Sequence, residues 1–151
     1  MATSTGAWLL DTSVFLRALF LESPATKRWL DEQKSDGARF YASRLLEVEA
    51  RRAVLNNKLL RSSSFAPEPV LAAALGELDI VVMSEEILDD AAGLRVFLRA
   101  ADAIHCATAL ALGTDEVTLV THDVQMASAA TFLGVPVFDP VSDDPGRPPV
   151  V

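Results

Sequence analysis

The chain has 151 residues, half of them hydrophobic, a net charge of −8 and a single cysteine. That length and apolar content suit one globular domain with a real core and exclude a disordered chain. No apolar run reaches the roughly 20 residues of a membrane span. Asp11 interrupts the one stretch that resembles a secretion signal, and Cys106 has no internal disulfide partner; a cytoplasmic protein without a membrane segment is expected.

In chain order, strand-like runs are predicted at 7–10, 39–42, 78–83, 117–121 and 135–138. Helical patterns fill the gaps at 13–21, 24–35, 43–61, 68–76, 85–98, 102–112 and 123–133. Such alternation predicts right-handed crossovers and a central parallel sheet of about five strands covered on both faces, a three-layer α/β/α sandwich. Residues 1–140 are read as the single domain. The serine- and proline-rich stretch RSSSFAPEP (61–69) reads as a loop, and residues 141–151, with too many prolines for an element, as a flexible tail.

Charge is unevenly spread. Residues 1–62 carry ten Lys/Arg against seven Asp/Glu, and residues 63–151 carry three against fourteen. The overall acidity argues against a polyanionic partner, whereas a basic first half beside an acidic site accommodates one if metal ions neutralise part of the excess. Charge alone does not decide between them.

The carboxylates are more informative. Ligands of open parallel sheets gather at the carboxyl ends of the strands, and Asp11 and Asp123 each follow a predicted strand directly. Either acid alone could be a helix N-cap; two at one sheet edge weaken that explanation. In the helix SRLLEVEARRAVLNNKLL, with Leu45 set at zero and roughly 100° per residue, Leu46, Ala53, Leu59 and Leu60 gather about one face. Glu49 falls near the middle of that face, at roughly 40°. Glu47 lies near 200° with Arg51, Lys58 and Arg61, so it reads as a solvated acid paired with Arg51. An inward Glu49 needs a cation, a hydrogen-bond network or a proton, unless it pairs with Arg52 or sits at an exposed helix edge. Asp102 opens DAIHCATALAL, a helix apolar on nearly all sides, where the N-terminus favours its charge. Two like charges about 4 Å apart repel by roughly 4 kcal/mol at an effective dielectric near 20. Asp11, Glu49, Asp102 and Asp123 in one pocket therefore call for a divalent cation, and oxygen ligands suit Mg²⁺ or Mn²⁺.

With those residues placed, LLDTSVFLRAL, ASRLLEVEARRAV, LRAADAIHCATAL and LVTHDVQMASAATFLGVPVFDP resemble the four signature segments of PIN-domain proteins, and among these the VapC toxins of bacterial toxin–antitoxin pairs. The resemblance spans about Trp8 to Pro140 and implies a PIN-like sandwich with Mg²⁺-dependent endoribonuclease activity. It implies that Asp11, Glu49, Asp102 and Asp123 are the metal-binding and catalytic acids, with Ser13 and Thr121 as supporting hydroxyls. The fourth segment of the family often reads threonine–asparagine–aspartate, and His122 departs from it here. Arg17, Arg44, Arg52, Arg95 and Arg99 are candidate RNA-phosphate contacts, each with surface solubility as the plainer explanation.

The helix SVFLRALFL, apolar except at Arg17, is expected to leave an exposed apolar strip. The resemblance implies two uses for it, a homodimer contact and a groove for a cognate VapB-type antitoxin. A non-catalytic PIN-like binding module would lose acids that are present here. A receiver domain would need a late lysine, and the last lysine is Lys58. A metal-independent ribonuclease needs paired histidines, for which His105 and His122 look poorly placed, and a zinc site lacks a second ligand pair beside His105 and Cys106.

Overall fold

A computed structural model describes residues 6–20, 23–57 and 66–143. Its elements are β1 (Ala7–Leu10), α1 (Thr12–Leu19), α2 (Pro24–Ser35), β2 (Arg39–Ser43), α3 (Arg44–Asn56), α4 (Pro67–Leu75), β3 (Asp79–Val81), α5 (Glu85–Gly93), α6 (Ala100–Leu112), β4 (Thr118–Val120), α7 (Val124–Phe132) and β5 (Val137–Phe138). The five strands form one sheet in the order β3-β2-β1-β4-β5, every neighbour parallel. Among the described residues no helix is long and apolar enough to cross a membrane.

The strand period of two divides the core between the two faces. Leu10, Phe40, Ala42 and Val120 face a cluster built with Val14 and Phe15 of α1, Trp29 of α2, Leu46, Ala50 and Val54 of α3, and Leu71 of α4. Leu9 and Leu119 face the opposite cluster, with Cys106 and Ala109 of α6 and Met126 and Ala130 of α7. A third, smaller cluster joins Ile87 and Ala91 of α5 to Ala103 and Ala107 of α6. These layers are the sandwich that the alternating pattern predicts.

Several boundaries move. The helix predicted over 85–98 stops at Gly93, and α6 begins at Ala100 rather than 102. Residues 94–99 instead alternate half-buried and exposed, a period that a helix cannot hold. The predicted helix 43–61 is α3, ending at Asn56; its last four residues and most of the loop 61–69 lie outside the described residues. Of the expected tail, residues 144–151 also lie outside them, while the Asp143 backbone N–H donates to the Asp139 carbonyl at 2.9 Å and closes a turn.

Among the described residues the expected exposed apolar strip on α1 is reduced to half-buried side chains. Val14, Phe15 and Ala18 are buried, and Leu16, Leu19 and Phe20 are half-buried against the first core cluster. The reason is that α2, α3 and α4 supply core side chains to the same cluster, so α1 is enclosed by helices as well as by the sheet. The exposed large apolar residues are elsewhere, among them Val48, Leu55, Phe97, Val124 and Phe132.

Candidate acidic site at the carboxyl edge of the sheet

The strand order reverses between β1 and β4: the chain runs outward through β2 and β3, then returns to the other side of β1. Such a switch point opens a crevice beyond the strand ends. Asp11 follows β1 and its backbone N–H donates to the Val120 carbonyl at 3.0 Å, while Thr121, His122 and Asp123 follow β4. The site is therefore built where the topology leaves room for one.

Asp11 occupies the N-cap position of α1 but its side chain makes no cap bond. Its Oδ2 instead accepts from the Ser13 hydroxyl at 3.1 Å and from the Thr121 hydroxyl at 2.9 Å. The Thr121 oxygen in turn accepts the Asp123 backbone N–H at 3.1 Å, coupling the two strand ends. Both hydroxyls address a single carboxylate oxygen, which leaves Oδ1 for another partner. Asp123 does cap α7: its Oδ1 accepts from the backbone N–H groups of Gln125 and Met126 at 2.8 and 3.1 Å. Capping and site membership are compatible, since a carboxylate has a second oxygen.

Asp102 lies in the first turn of α6. Burial pushes its carboxyl above the ordinary range, the charge of Asp11 pushes further, Arg99 opposes, Asp123 adds to the rise and His105 opposes it. Asp11, Asp102 and Asp123 thus share one field. The guanidinium of Arg99 stands 3.6 Å from Asp102 and is 85% exposed, so solvent screens it strongly.

Glu49 joins by a different route. Its Oε1 accepts from the Thr12 hydroxyl at 2.8 Å and from His105 Nε2 at 3.0 Å. Burial pushes the Glu49 carboxyl up, but the hydrogen bonds from His105 and Thr12 and the field of His105 outweigh it and hold the group below its usual range. Glu49 sits at the rim of the buried stripe, not in its middle. The buried face of α3 is Leu46, Ala50 and Val54, and the Glu49 side chain is 35% exposed. Glu47, expected to be the solvated one, is only 18% exposed because Arg44 and Arg51 fold over it at 3.1 Å each. Arg52 pairs with Asn56 and not with Glu49.

Thr12 and His105 both contact Glu49 in the candidate site; sequence reasoning did not name Thr12 and weighed His105 only as an acid–base or zinc residue. The signal was present: Thr12 adjoins Asp11, and His105 lies three residues after Asp102, on the same helical face. His105 is 1% exposed, and its Nδ1 has no hydrogen-bond partner among the described residues. His122 has a separate task. Its Nδ1–H donates to Asp139 at 2.7 Å, and Nε2 then accepts the Thr26 hydroxyl at 3.1 Å, tying α2 to the end of β5.

Of the five candidate phosphate contacts, Arg44 and Arg52 are engaged within α3 and Arg99 beside Asp102, while Arg17 and Arg95 are exposed. Arg17 lines a cleft of about 220 Å³ between α1 and α3 with Ser13, Leu16, Ala53 and Val54.

Among the described residues no three His, Cys, Asp or Glu side chains are arranged to hold a metal ion. The donor chemistry of the acidic site nonetheless suits a hard divalent ion, being carboxylate and hydroxyl oxygen throughout. The raised Asp102 carboxyl marks negative charge that the neighbouring cation does not offset.

Fold and site define a parallel α/β domain with an acidic centre at the carboxyl edge of its sheet. The family model for the PIN domain matches residues 8–131, and the chain belongs to the PIN-domain family. It is 36% identical over 135 residues to Ribonuclease VapC46 of Mycobacterium tuberculosis, covering 83% of this chain and 99% of that one. Ribonuclease VapC35 of the same organism is 33% identical over 136 residues, covering 87% and 95%. Among solved structures, VapBC2 from Rickettsia felis bound to a DNA fragment from its promoter superposes with a TM-score of 0.68 at 16% identity, covering 88% of this chain and 98% of that one.

Proposed function

We propose that this chain is a VapC-type toxin, an Mg²⁺- or Mn²⁺-dependent endoribonuclease that hydrolyses RNA phosphodiester bonds. The observation that carries the reading is the placement of Asp11 and Asp123 at the β1–β4 switch point, linked through the Thr121 hydroxyl, with Asp102 close enough for their charges to raise its carboxyl. The relatives named as ribonucleases support it.

In this reading Asp11, Asp102 and Asp123 hold one or two divalent ions, and Glu49 is a further ligand or the acceptor of the attacking water's proton. When bound, such an ion withdraws charge from a phosphoryl oxygen and acidifies water beside it. Ser13 and Thr121 fix the Asp11 carboxylate through Oδ2. Thr12 and His105 fix Glu49 and keep it ionised. The attacking group is water, so the products carry 5′-phosphate and 3′-hydroxyl ends.

The partners that go with this reading are a VapB-type antitoxin and a second copy of the chain. The cleft between α1 and α3 supports the first, because it opens beside Ser13 and is walled by Leu16, Ala53 and Val54. The test is incubation of cellular RNA with the purified protein in Mg²⁺ or in excess EDTA, with Asp11→Asn alongside. Cuts bearing 5′-phosphate, lost with EDTA and with the variant, support the reading; cutting that survives both refutes it.

A further inference from the structure

Residues 94–99 connect α5 to α6 without helical structure. Leu94 (φ −62°, ψ 126°) and Arg99 (φ −67°, ψ 159°) are both extended. Between them the sequence LRVFLR alternates: Leu94, Val96 and Leu98 are half-buried, and Arg95, Phe97 and Arg99 are exposed. Leu94 and Leu98 pack against both core clusters that flank α6, so the inner residues fix the segment and the outer ones are presented to solvent. The outer row reads cation, aromatic ring, cation.

Two contacts set this row on the rim of the acidic site. Arg99 Nε stands 3.6 Å from Asp102 Oδ2. The Phe97 carbonyl accepts the Gln125 side-chain amide at 3.3 Å, and the backbone N–H of that same Gln125 donates to Asp123 at 2.8 Å. Phe97 itself is 89% exposed. A phenyl ring held by an anchored backbone, unburied by its own fold, between two arginines on a chain of net charge −8, has the chemistry of a base-stacking surface. Every base offers a π-face to such a ring, and cations on either side suit the phosphates of the same strand.

We propose that Arg95, Phe97 and Arg99 form a single-strand RNA platform. Phe97 stacks on an unpaired base beside the bond to be cut, and Arg95 and Arg99 hold phosphates of that strand. The proposal rests on the nuclease reading and narrows it to substrates whose bases are free to stack, because a base inside a duplex has both faces covered. An apolar protein partner fits the row less well, since the single ring is bracketed by two charges.

The test measures binding of a fluorescent single-stranded oligoadenylate, and of its duplex with oligouridylate, to Asp11→Asn protein in Mg²⁺. Adding Phe97→Ala is expected to weaken single-strand binding about tenfold and to leave the weaker duplex binding unchanged. Phe97→Trp restores the affinity, and its indole emission is quenched by the bound strand. Arg95→Gln lowers the salt dependence by about 0.7 in log–log slope, the value for one phosphate on a single strand. Unchanged single-strand binding by Phe97→Ala, or an equal loss on the duplex, overturns the platform. So does a row whose loss impairs only a protein complex. RNA cutting by the wild-type protein is scored in parallel: a bound but uncut strand defeats the nuclease reading alone, and cutting without dependence on Phe97 defeats the platform alone.

Discussion

His105 Nε2 and Glu49 Oε1 stand 3.0 Å apart, joining the centre of α6 to the rim of α3 across the acidic site. Because Glu49 is held ionised, the imidazole must donate from Nε2, and the Thr12 hydroxyl donates to the same oxygen. One carboxylate oxygen is thereby fixed from two sides and the other left for chemistry. His105→Leu, close in volume, is expected to lower RNA cleavage by about 10–100-fold, the usual effect of losing a hydrogen bond that orients a site carboxylate. His105→Gln, whose amide N–H can replace the Nε2 donor, recovers most of it. Single-turnover cleavage beside thermal melting checks this; equal activity of the Leu and Gln variants at equal stability would count against a positioning role.

The acidic cluster stores repulsion in the metal-free protein. Asp102→Asn removes a charge that Asp11 and Asp123 oppose, so it is expected to stabilise the metal-free fold by roughly 0.5–2 kcal/mol while abolishing cleavage. Urea melts in EDTA test this, and a destabilised variant contradicts it.

Cys106 is buried in the second core cluster. Its thiol is pushed up to about 12 by burial and by the charges of Asp102 and Asp11. Reactivity follows the thiolate, so iodoacetamide at pH 8 is expected to label the unfolded chain and spare the native one. Rapid native labelling, read by mass spectrometry, would show that α6 opens.

Acid stability has a specific contributor in Asp139. Burial pushes its carboxyl up, but the Val141 backbone N–H and the hydrogen bonds from His122 and Ser142 outweigh it and leave the group below its usual range. A carboxylate with a depressed folded value stabilises the fold fully above its unfolded pKa, about 3.9. That contribution disappears as pH falls through the lower folded value. Asp139→Asn should therefore cost about 1 kcal/mol at pH 7, with the difference shrinking below about pH 4. A cost that is the same at pH 3 and pH 7 in denaturant titrations contradicts the assignment.

Much of this architecture was legible in the sequence because strands and acids are local signals. Each predicted run overlaps a strand, and Asp11 and Asp123 follow their strands directly. The misreadings share a cause: they concern what packs against what. On α3 the wheel centred on Leu45 left out Ala50 and Val54, which with Leu46 make up the buried face. The pairing of Glu47 with Arg51 follows the helical spacing as expected, but the wheel gave no measure of how far Arg44 and Arg51 together cover the carboxylate. Around residues 94–99 the apolar content resembled more helix, and the alternation in LRVFLR was the evidence against it. His105 could not be tied to Glu49 from the sequence, because 56 residues separate them and only the sheet order brings α3 and α6 together.

The large apolar residues of α3 give a simple check on the packing itself. Leu46 is fully buried in the first core cluster, so Leu46→Ala is expected to cost about 2–5 kcal/mol. A cost below 1 kcal/mol in a denaturant melt would mean that α3 does not close that face of the sheet as described.

The central claim is that Asp11, Asp102 and Asp123 act together as a divalent-cation centre. Electron paramagnetic resonance of Mn²⁺ titrated into the protein tests it directly. The account predicts bound Mn²⁺ in the wild type, displaced by Mg²⁺, and a severe loss of binding in Asp102→Asn at unchanged fold. Mn²⁺ held equally well by the variant, or not held by the wild type at all, would contradict it.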